Sequence, residues 1–405
     1  MNSKHLQAPA GWALATLGEI CDIDPDMLSS STLSDYEFQY IDIASVSPNR
    51  ISNQLSLEKF STAPSRARKK VRKDDVLMAT VRPNLKAIAR IQETGELVAS
   101  TGFAVLRARR EVSHPEFLKQ LLFSDSIDLQ VESLVAGSNY PAITVGNVKR
   151  LKALVPTYLE QCGIADVLSA LDEQIEATEA LISKFDATRT GLIRDLLDEV
   201  AAAPKLPLKD LADIGSGITL GREFSGVGTA EYPYLRVANV QDGRLELSEV
   251  KTIRIPVENA EKVMLQPGDV LMNEGGDFDK LGRGAVWEGQ IPNCLHQNHV
   301  FRVRCDQSKL LPGFLALWAA SAFGKRFFML ASKQSTNLAS INSTQLKGFP
   351  VLTPPIEKQR QILEAVESVD AIQAQNKAEI IKLRLKKQGL MKDLLTGAVR
   401  VTGAH

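Results

Sequence analysis

The heptapeptide "GLIRDLL" occupies residues 191–197, and "GLMKDLL" occupies residues 389–395, 198 positions later. The offset extends well beyond these two words. Ile143 and Ile341, Lys149 and Lys347, Pro156 and Pro354, Gln161 and Gln359, Asp172 and Asp370, and Lys184 and Lys382 all pair at 198 without a gap. Upstream the offset settles at 194, where "YIDIASVSPNRI" (40–51) lies over "YLRVANVQDGRL" (234–245) and "DDVLM" (74–78) over "GDVLM" (268–272). Between these blocks it is 197, which pairs "HPEFL" (114–118) with "LPGFL" (311–315). The chain is an internal duplication, and two copies of one fold are expected.

Each copy has two textures. Short β-rich runs such as "YIDIASV", "GFAVLRA" and "HVFRVRC" alternate with turn signals, including Asp242-Gly243. A helical stretch follows, "HPEFLKQLLF" in the first copy and "PGFLALWAASAFGKRFFML" in the second. Each copy then ends in helix without interruption, over 157–199 and 355–397. In the first of these, Ile164, Leu168, Leu171, Ile175, Thr178, Ile182, Phe185, Arg189, Leu192 and Leu196 step by four and three alternately. The positions shifted by 198 form a matching seam in the second. A sustained 3.5-residue period marks a coiled coil, and 40 residues at 1.5 Å each give helices of about 60 Å. Polar seam residues (Thr178, Arg189, Gln373, Asn376, Lys387) are expected to fix register. Thr157 with Glu160 predicts a capping box. The fold class is therefore α+β, with pseudo-two-fold symmetry. Mixed α/β domains at 1–156 and 201–353 are joined by coiled-coil helices at 157–200 and 354–405, the latter with a C-terminal tail, paired antiparallel.

The 405 residues carry 48 basic and 48 acidic side chains, so no global field points to nucleic acid or membrane. Local basic patches remain open. Cys21, Cys162, Cys294 and Cys305 lack a disulfide-like pattern, and the longest apolar run, "FLALWAA" (314–320), is too short for a bilayer. A soluble cytoplasmic protein is expected.

No catalytic constellation stands out. There is no G-x-x-x-x-G-K-[ST] phosphate loop, no G-x-G-x-x-G after a strand and no Asn/Asp-Pro-Pro-aromatic element of amino-methyltransferases. Glu249-x-Lys251 resembles a nuclease tripeptide, but its repeat partner is Leu55-Ser56-Leu57. Cys294, His296, His299 and Cys305 fit no usual zinc spacing, and the matching segment "LVASTGF" (97–103) holds no ligand, so no metal is expected. Positive charge is dense at Arg66, Arg68, Lys69, Lys70, Arg72 and Lys73, and again at Arg82, Asn84, Lys86 and Arg90. In a duplicated architecture that addresses two sites, phosphate contact is the expected role of the first run.

These features resemble the specificity subunit of a type I restriction–modification enzyme. The resemblance rests on the tandem repeat, on "GSNYPAITVGNVKRLKALVPTYLEQCGIADVL" (137–168) and "STNLASINSTQLKGFPVLTPPIEKQRQIL" (335–363), and on the "DLLTGAVRV" ending (393–401). The family's Pro-Pro-x-x-x-Gln-x-x-Ile helix entry stands at Pro354, Pro355, Gln359 and Ile362. In the first copy Thr157 replaces the second proline. The resemblance implies two target recognition domains reading a split site in double-stranded DNA, no catalysis by this chain and no cofactor in it. It implies assembly with two DNA methyltransferase subunits and with restriction/translocase subunits, which would hold AdoMet, ATP and Mg2+. Rival readings are a non-catalytic coiled-coil adaptor that binds proteins and the specificity subunit of a related, non-type-I modification enzyme.

The duplication also sorts residues. Positions alike in both copies read as scaffold, and polar positions that share the frame but differ read as candidates for specificity. The DNA-binding candidates in copy one are Arg50, Arg66, Arg68, Lys69, Lys70, Arg82, Asn84 and Lys86. In copy two they are Arg236, Asn239, Arg244, Asn273, Lys280, Arg283, His296, Gln297 and Asn298. Arginine pairs with guanine, and asparagine or glutamine with adenine.

Overall fold

The computed structural model describes residues 8–135, 141–221, 226, 228–276, 281–334 and 339–401. They form two compact units, one from Met1–Ala180 with Lys377–His405 and one from Leu181–Asn376. The two longest elements are helices α1 (Tyr158–Glu199) and α2 (Ile356–Thr396).

In the first unit two four-stranded sheets lie face to face. One runs in the order Ser56–Lys59, Glu37–Ile41, Leu97–Ser100, Ala67–Val71, and the other Cys21–Ile23, Phe103–Ala108, Val76–Ala79, Ile88–Arg90. Ile41, Val71, Leu97 and Ala99 of the first pack on Leu77, Ala79, Ala89, Phe103 and Val105 of the second. The opposite face of the second sheet, with Val76, Met78, Ala104 and Leu106, packs on helix Pro115–Leu122 and on Ile164 and Leu168 of α1. Strand Val76–Ala79 is thus buried on both sides. This is why "VLMA" reads as an unbroken apolar run rather than an alternation.

The second unit repeats the plan. Its sheets order as Ala212–Ser216, Val300–Cys305, Asp269–Asn273, Gly284–Val286 and as Lys251–Pro256, Thr229–Leu235, Leu295–His296. In both units one parallel pair joins corresponding strands, Glu37–Ile41 with Leu97–Ser100 and Thr229–Leu235 with Leu295–His296. Each "DVLM" aspartate is buried and held by two bonds from an arginine of the next strand. Arg107 reaches Asp75 at 2.8 Å twice, and Arg304 reaches Asp269 at 2.7 and 2.8 Å. The carboxylate bonds hold both guanidinium pKa values above the ordinary one.

Three local expectations need correction. The runs "YIDIASV" and "YLRVANV" are broken in the middle, with strand pairing lost after Ile41 and Leu235 and resumed only at Val46 and Val240. Asp42 Oδ1 accepts from the Ser45 amide (2.8 Å) and Asn239 Oδ1 from the Arg236 amide (2.9 Å), so a side chain turns the chain in each copy. The helical stretch "PGFLALWAASAFGKRFFML" is two helices, Pro312–Ala320 and Ala322–Ala331, bent by 71°. Ser321 Oγ caps the Gly324 amide at 3.2 Å, and Gly324 lets the new helix start close to the Ala319 carbonyl, where a Cβ would stand 2.3 Å away. The capping box at Thr157 is half formed. Thr157 Oγ1 accepts from the Glu160 amide (3.4 Å), but the Glu160 carboxylate instead takes Arg400 at 2.6 and 2.8 Å and Trp12 Nε1 at 3.1 Å. Arg400 chiefly holds that carboxyl below its usual range. Among the described residues no single helix is long and apolar enough to cross a membrane.

The seam residues pair antiparallel within each unit. In the first, Ile164, Leu168 and Leu171 of α1 are buried, as are Ile380, Leu383 and Leu394 of α2. Lys387 Nζ lies 2.5 Å from Asp172, and Arg384 lies 2.7 Å from Glu179. In the second, Ile362 and Val366 are buried, Leu192 and Leu196 are half-buried, Arg189 bonds both oxygens of Asp370, and Gln373 donates to Asp186. Asp172–Lys387 and Asp370–Arg189 are the same pair displaced by 198 residues, so Lys387 and Arg189 lock one register in both units, whereas Thr178 bonds the Gln174 carbonyl of its own helix at 2.8 Å.

The two pairs differ in burial. Asp172 and Lys387 side chains are 12% and 11% exposed, and Asp172 also accepts from Gln120 (2.6 Å) and Asn49 (3.3 Å). Asp370 and Arg189 are 41% and 35% exposed. Removing one partner of a buried pair strands the other, at about 3–5 kcal/mol, whereas exposed pairs contribute about 1 kcal/mol or less. Asp172→Ala should therefore lower the urea midpoint far more than Asp370→Ala, and equal shifts would show that burial does not set the strength of this lock.

Candidate nucleic-acid interface

The strand Ala67–Val71, "ARKKV", divides the basic run. Its burial alternates, so Ala67, Lys69 and Val71 point inward while Arg68 and Lys70 point outward. Arg68 lies over the Phe60 ring at 5.0 Å, and Lys70 lies over the Tyr36 ring at 5.1 Å and 3.8 Å from Glu96. This cation–aromatic face suits a phosphate backbone. Lys69 does not share it. Its ammonium is buried, 2.6 Å from Asp24 and bonded to the Phe103 carbonyl. Lys69 is a core ion-pair residue.

One rim of the first unit gathers several candidates. The Thr101 amide donates to the Arg66 carbonyl (2.8 Å), the Thr80 amide to the Gly102 carbonyl (2.8 Å), and the Arg82 amide to the Pro141 carbonyl (2.7 Å). Arg66, Arg82 and Asn84 are exposed there. Arg82 and Lys86, both at φ +50, flank the short helical turn Pro83–Leu85 and fix the loop that carries Asn84. Lys86 turns back to Asp128 at 2.5 Å. Arg50 lies away from this rim, 3.7 Å from Glu179 of α1, beside a cavity of about 350 Å3 that Asp172 and Arg384 also line.

In the second unit three candidates serve the scaffold. Asn239 is buried, and its amide nitrogen donates to the carbonyls of Glu246 (2.8 Å) and Glu249 (2.9 Å). Asn273 is buried and donates to the Val240 carbonyl at 3.0 Å. His296 is buried with Nδ1 2.7 Å from the Val300 carbonyl, and burial lowers its pKa from 6.5 to about 4. Arg236 is half-buried and reaches the Glu249 carbonyl and carboxylate at 3.3 Å. Arg283 reaches Gln241 at 3.4 Å, and Arg244 is exposed in the Asp242-Gly243 turn. Gln297 and Asn298 are half-buried, their amides bonded to the carbonyls of Leu235 and Ile218 at 2.9 Å. Lys280 lies outside the described residues.

The rim of the first unit has a counterpart that the residue candidates missed. The Glu274 amide donates to the His299 carbonyl (3.0 Å) and the Ile341 amide to the Glu274 carbonyl (2.8 Å). Thr80, Gly102 and Ile143 make the same two bonds in the first unit, at 2.8 and 2.9 Å. Glu274 and His299 thus stand where the first unit has Thr80 and Gly102. The offsets of 194 and 197 contain this correspondence in the sequence, pairing Thr80 with Glu274 and Gly102 with His299.

Comparison with known proteins agrees with this duplicated frame. The type I restriction modification DNA specificity domain matches twice, over residues 9–185 and 205–384, and the chain belongs to that family. The type I restriction enzyme EcoKI specificity subunit of Escherichia coli K12 is 23% identical over 303 residues, 70% of this chain and 64% of its own length. The StySPI specificity subunit of Salmonella potsdam is 22% identical over 315 residues, 73% of this chain and 66% of its own. The matches therefore span just under two thirds of those relatives. The crystal structure of the HsdS subunit from Thermoanaerobacter tengcongensis is similar over 98% of this chain and 100% of that one, at TM-score 0.50 and 24% identity, which shows a shared fold.

Two outcomes follow. Lys69→Ala should cost about 3–5 kcal/mol by stranding Asp24, whereas Lys70→Ala should cost about 1 kcal/mol or less. Calorimetry of the two variants separates them, and a fully stable Lys69→Ala protein would return Lys69 to the surface set. His296 is held neutral in the folded state, so the unfolded chain takes up its proton first as pH falls. Its contribution is present above 6.5 and is lost as pH drops towards about 4, by up to about 1.4 kcal/mol per pH unit. Unfolding curves across that window should flatten in His296→Gln.

Proposed function

We propose that this chain is the DNA sequence-specificity subunit of a type I restriction–modification complex. Each unit reads one half of an interrupted, asymmetric double-stranded site. The observation that carries this reading is the paired rim: one backbone frame built twice, with Thr80 and Gly102 in one unit and Glu274 and His299 in the other. An identical frame with different side chains is what two reading heads for two different half-sites require. A symmetric protein adaptor has no need of the difference. In this reading outward Arg68 and Lys70 supply sequence-independent phosphate contact, and Asn84, exposed on the loop that Arg82 and Lys86 flank, meets base edges.

Chemistry falls to partners in this reading. Two adenine methyltransferase subunits would supply AdoMet and the flipped-base pocket, and restriction/translocase subunits would supply ATP and Mg2+. This chain selects the address and positions those subunits on it. The balanced total of 48 basic and 48 acidic residues suits a subunit whose partners share the enclosure of the duplex.

The test is methylation mapping in cells carrying the methyltransferase subunit with and without this chain. The expected result is adenine methylation at one asymmetric interrupted motif only when the chain is present. A continuous palindrome, or no motif, would sink the reading. Asn84→Ala should alter preference within one half-site by roughly 1–3 kcal/mol, leaving the other half intact. Lys70→Ala should weaken binding to every sequence and flatten its salt dependence.

A further inference from the structure

The geometry points to His299 as a specificity-determining residue of the second half-site, held in place by Glu274 as its positioning residue. This rests on the proposed DNA-reading function and names a side chain for it. His299 Nδ1 lies 2.6 Å from Glu274 Oε2, and the two side chains are 57% and 29% exposed. A carboxylate only accepts, so Nδ1 carries the proton of this bond, and the Nε2 of this largely exposed ring is left for another partner. In the neutral ring Nε2 offers a lone pair to the exocyclic amino group of adenine or cytosine. In the imidazolium it offers N–H to N7 or O6 of guanine. Either way one base pair is read by a single hydrogen bond.

The backbone beneath this ring is tied on both sides. The His299 carbonyl accepts from the Glu274 amide at 3.0 Å, and the preceding Asn298 amide donates to the Ile218 carbonyl at 2.9 Å. The Ile218 amide in turn donates to the His296 carbonyl at 2.8 Å. Gly217 permits that approach, since a Cβ there would stand 1.9 Å from the same oxygen. Gly275, next to Glu274, lets the strand Ala339–Ser340 come close, where a Cβ would meet the Ala339 carbonyl at 3.1 Å. A side chain on so constrained a frame is pre-oriented, which a base-reading group needs and an ordinary surface ion pair does not.

The comparison between units adds the second argument. At the equivalent place in the first unit Thr80 is buried, with its hydroxyl bonded to the Gly102 carbonyl at 2.8 Å, and Gly102 has no side chain. That unit presents nothing there and leaves reading to other groups such as Asn84. The second unit fills the same place with a projecting, oriented imidazole. Divergence at a shared backbone position is where specificity for different half-sites must reside.

The experiment is selection from a randomised DNA library by the full chain assembled with its methyltransferase subunit. His299→Ala should reduce the base bias at one position of one half-site roughly ten-fold or more, with thermal unfolding and affinity for random-sequence DNA unchanged. Glu274→Gln, whose amide oxygen still accepts from Nδ1–H, should keep the bias. Glu274→Ala should blur the same position that His299→Ala blurs. A His299→Ala profile identical to wild type, or a loss spread over both half-sites, overturns the assignment. Failure of the wild-type assembly to enrich any interrupted site would overturn the function reading itself, so the two failures are distinguishable.

Discussion

A buried glutamine amide at the start of each long helix fixes the relation between helix and sheet within its unit. Gln161 donates to the carbonyls of Pro156 (3.0 Å) and Val112 (2.9 Å) and accepts from the His114 amide (2.8 Å). Gln359 donates to Pro354 (2.9 Å) and Lys309 (3.0 Å) and accepts from the Leu311 amide (2.9 Å). Both are fully buried. Each joins the entry of a coiled-coil helix to the segment leading into the helix that covers the central sheet. Each fully buried amide satisfies three backbone groups, and leaving a buried polar group unpaired costs about 1–3 kcal/mol. The sheet faces, and the rims at their ends, are oriented relative to the long helix through this amide.

From that anchor the molecule builds one frame twice and varies its contents. The bidentate arginine–aspartate pairs at Asp75 and Asp269 and the parallel strand pair recur. So do the capping boxes at Thr144 and Asn342, and the rim bonds at Thr80 and Glu274. Among the side chains that diverge within this frame are those of the rim, Thr80 and Gly102 in one unit against Glu274 and His299 in the other.

The sequence made the repeat, the long helices and their seam legible because periodicity and offset are properties of the chain order itself. Lys69 was misread because a run of basic residues has no visible inside until strand alternation is imposed on it. Asn239, Asn273 and His296 were misread for a related reason. Polar residues in loops and strand ends look available, but these three satisfy backbone carbonyls or, for Asn239, backbone groups of both kinds. His299 was overlooked while its neighbours at 296–298 were chosen, because only the folded frame shows which of four consecutive polar residues turns outward. Glu274 was overlooked because a carboxylate is the wrong charge for a phosphate. Its role emerges only once the imidazole beside it is seen.

The seam shows how duplication and divergence coexist. Asp172–Lys387 and Asp370–Arg189 occupy equivalent places, yet the first is sealed by Gln120 and Asn49, while the second stays half open to water. Lysine, a compact ammonium, fits the closed site. Arginine, with a planar fork, makes two bonds to its carboxylate without needing enclosure. Each copy thus meets one register constraint with a cation suited to its own surroundings.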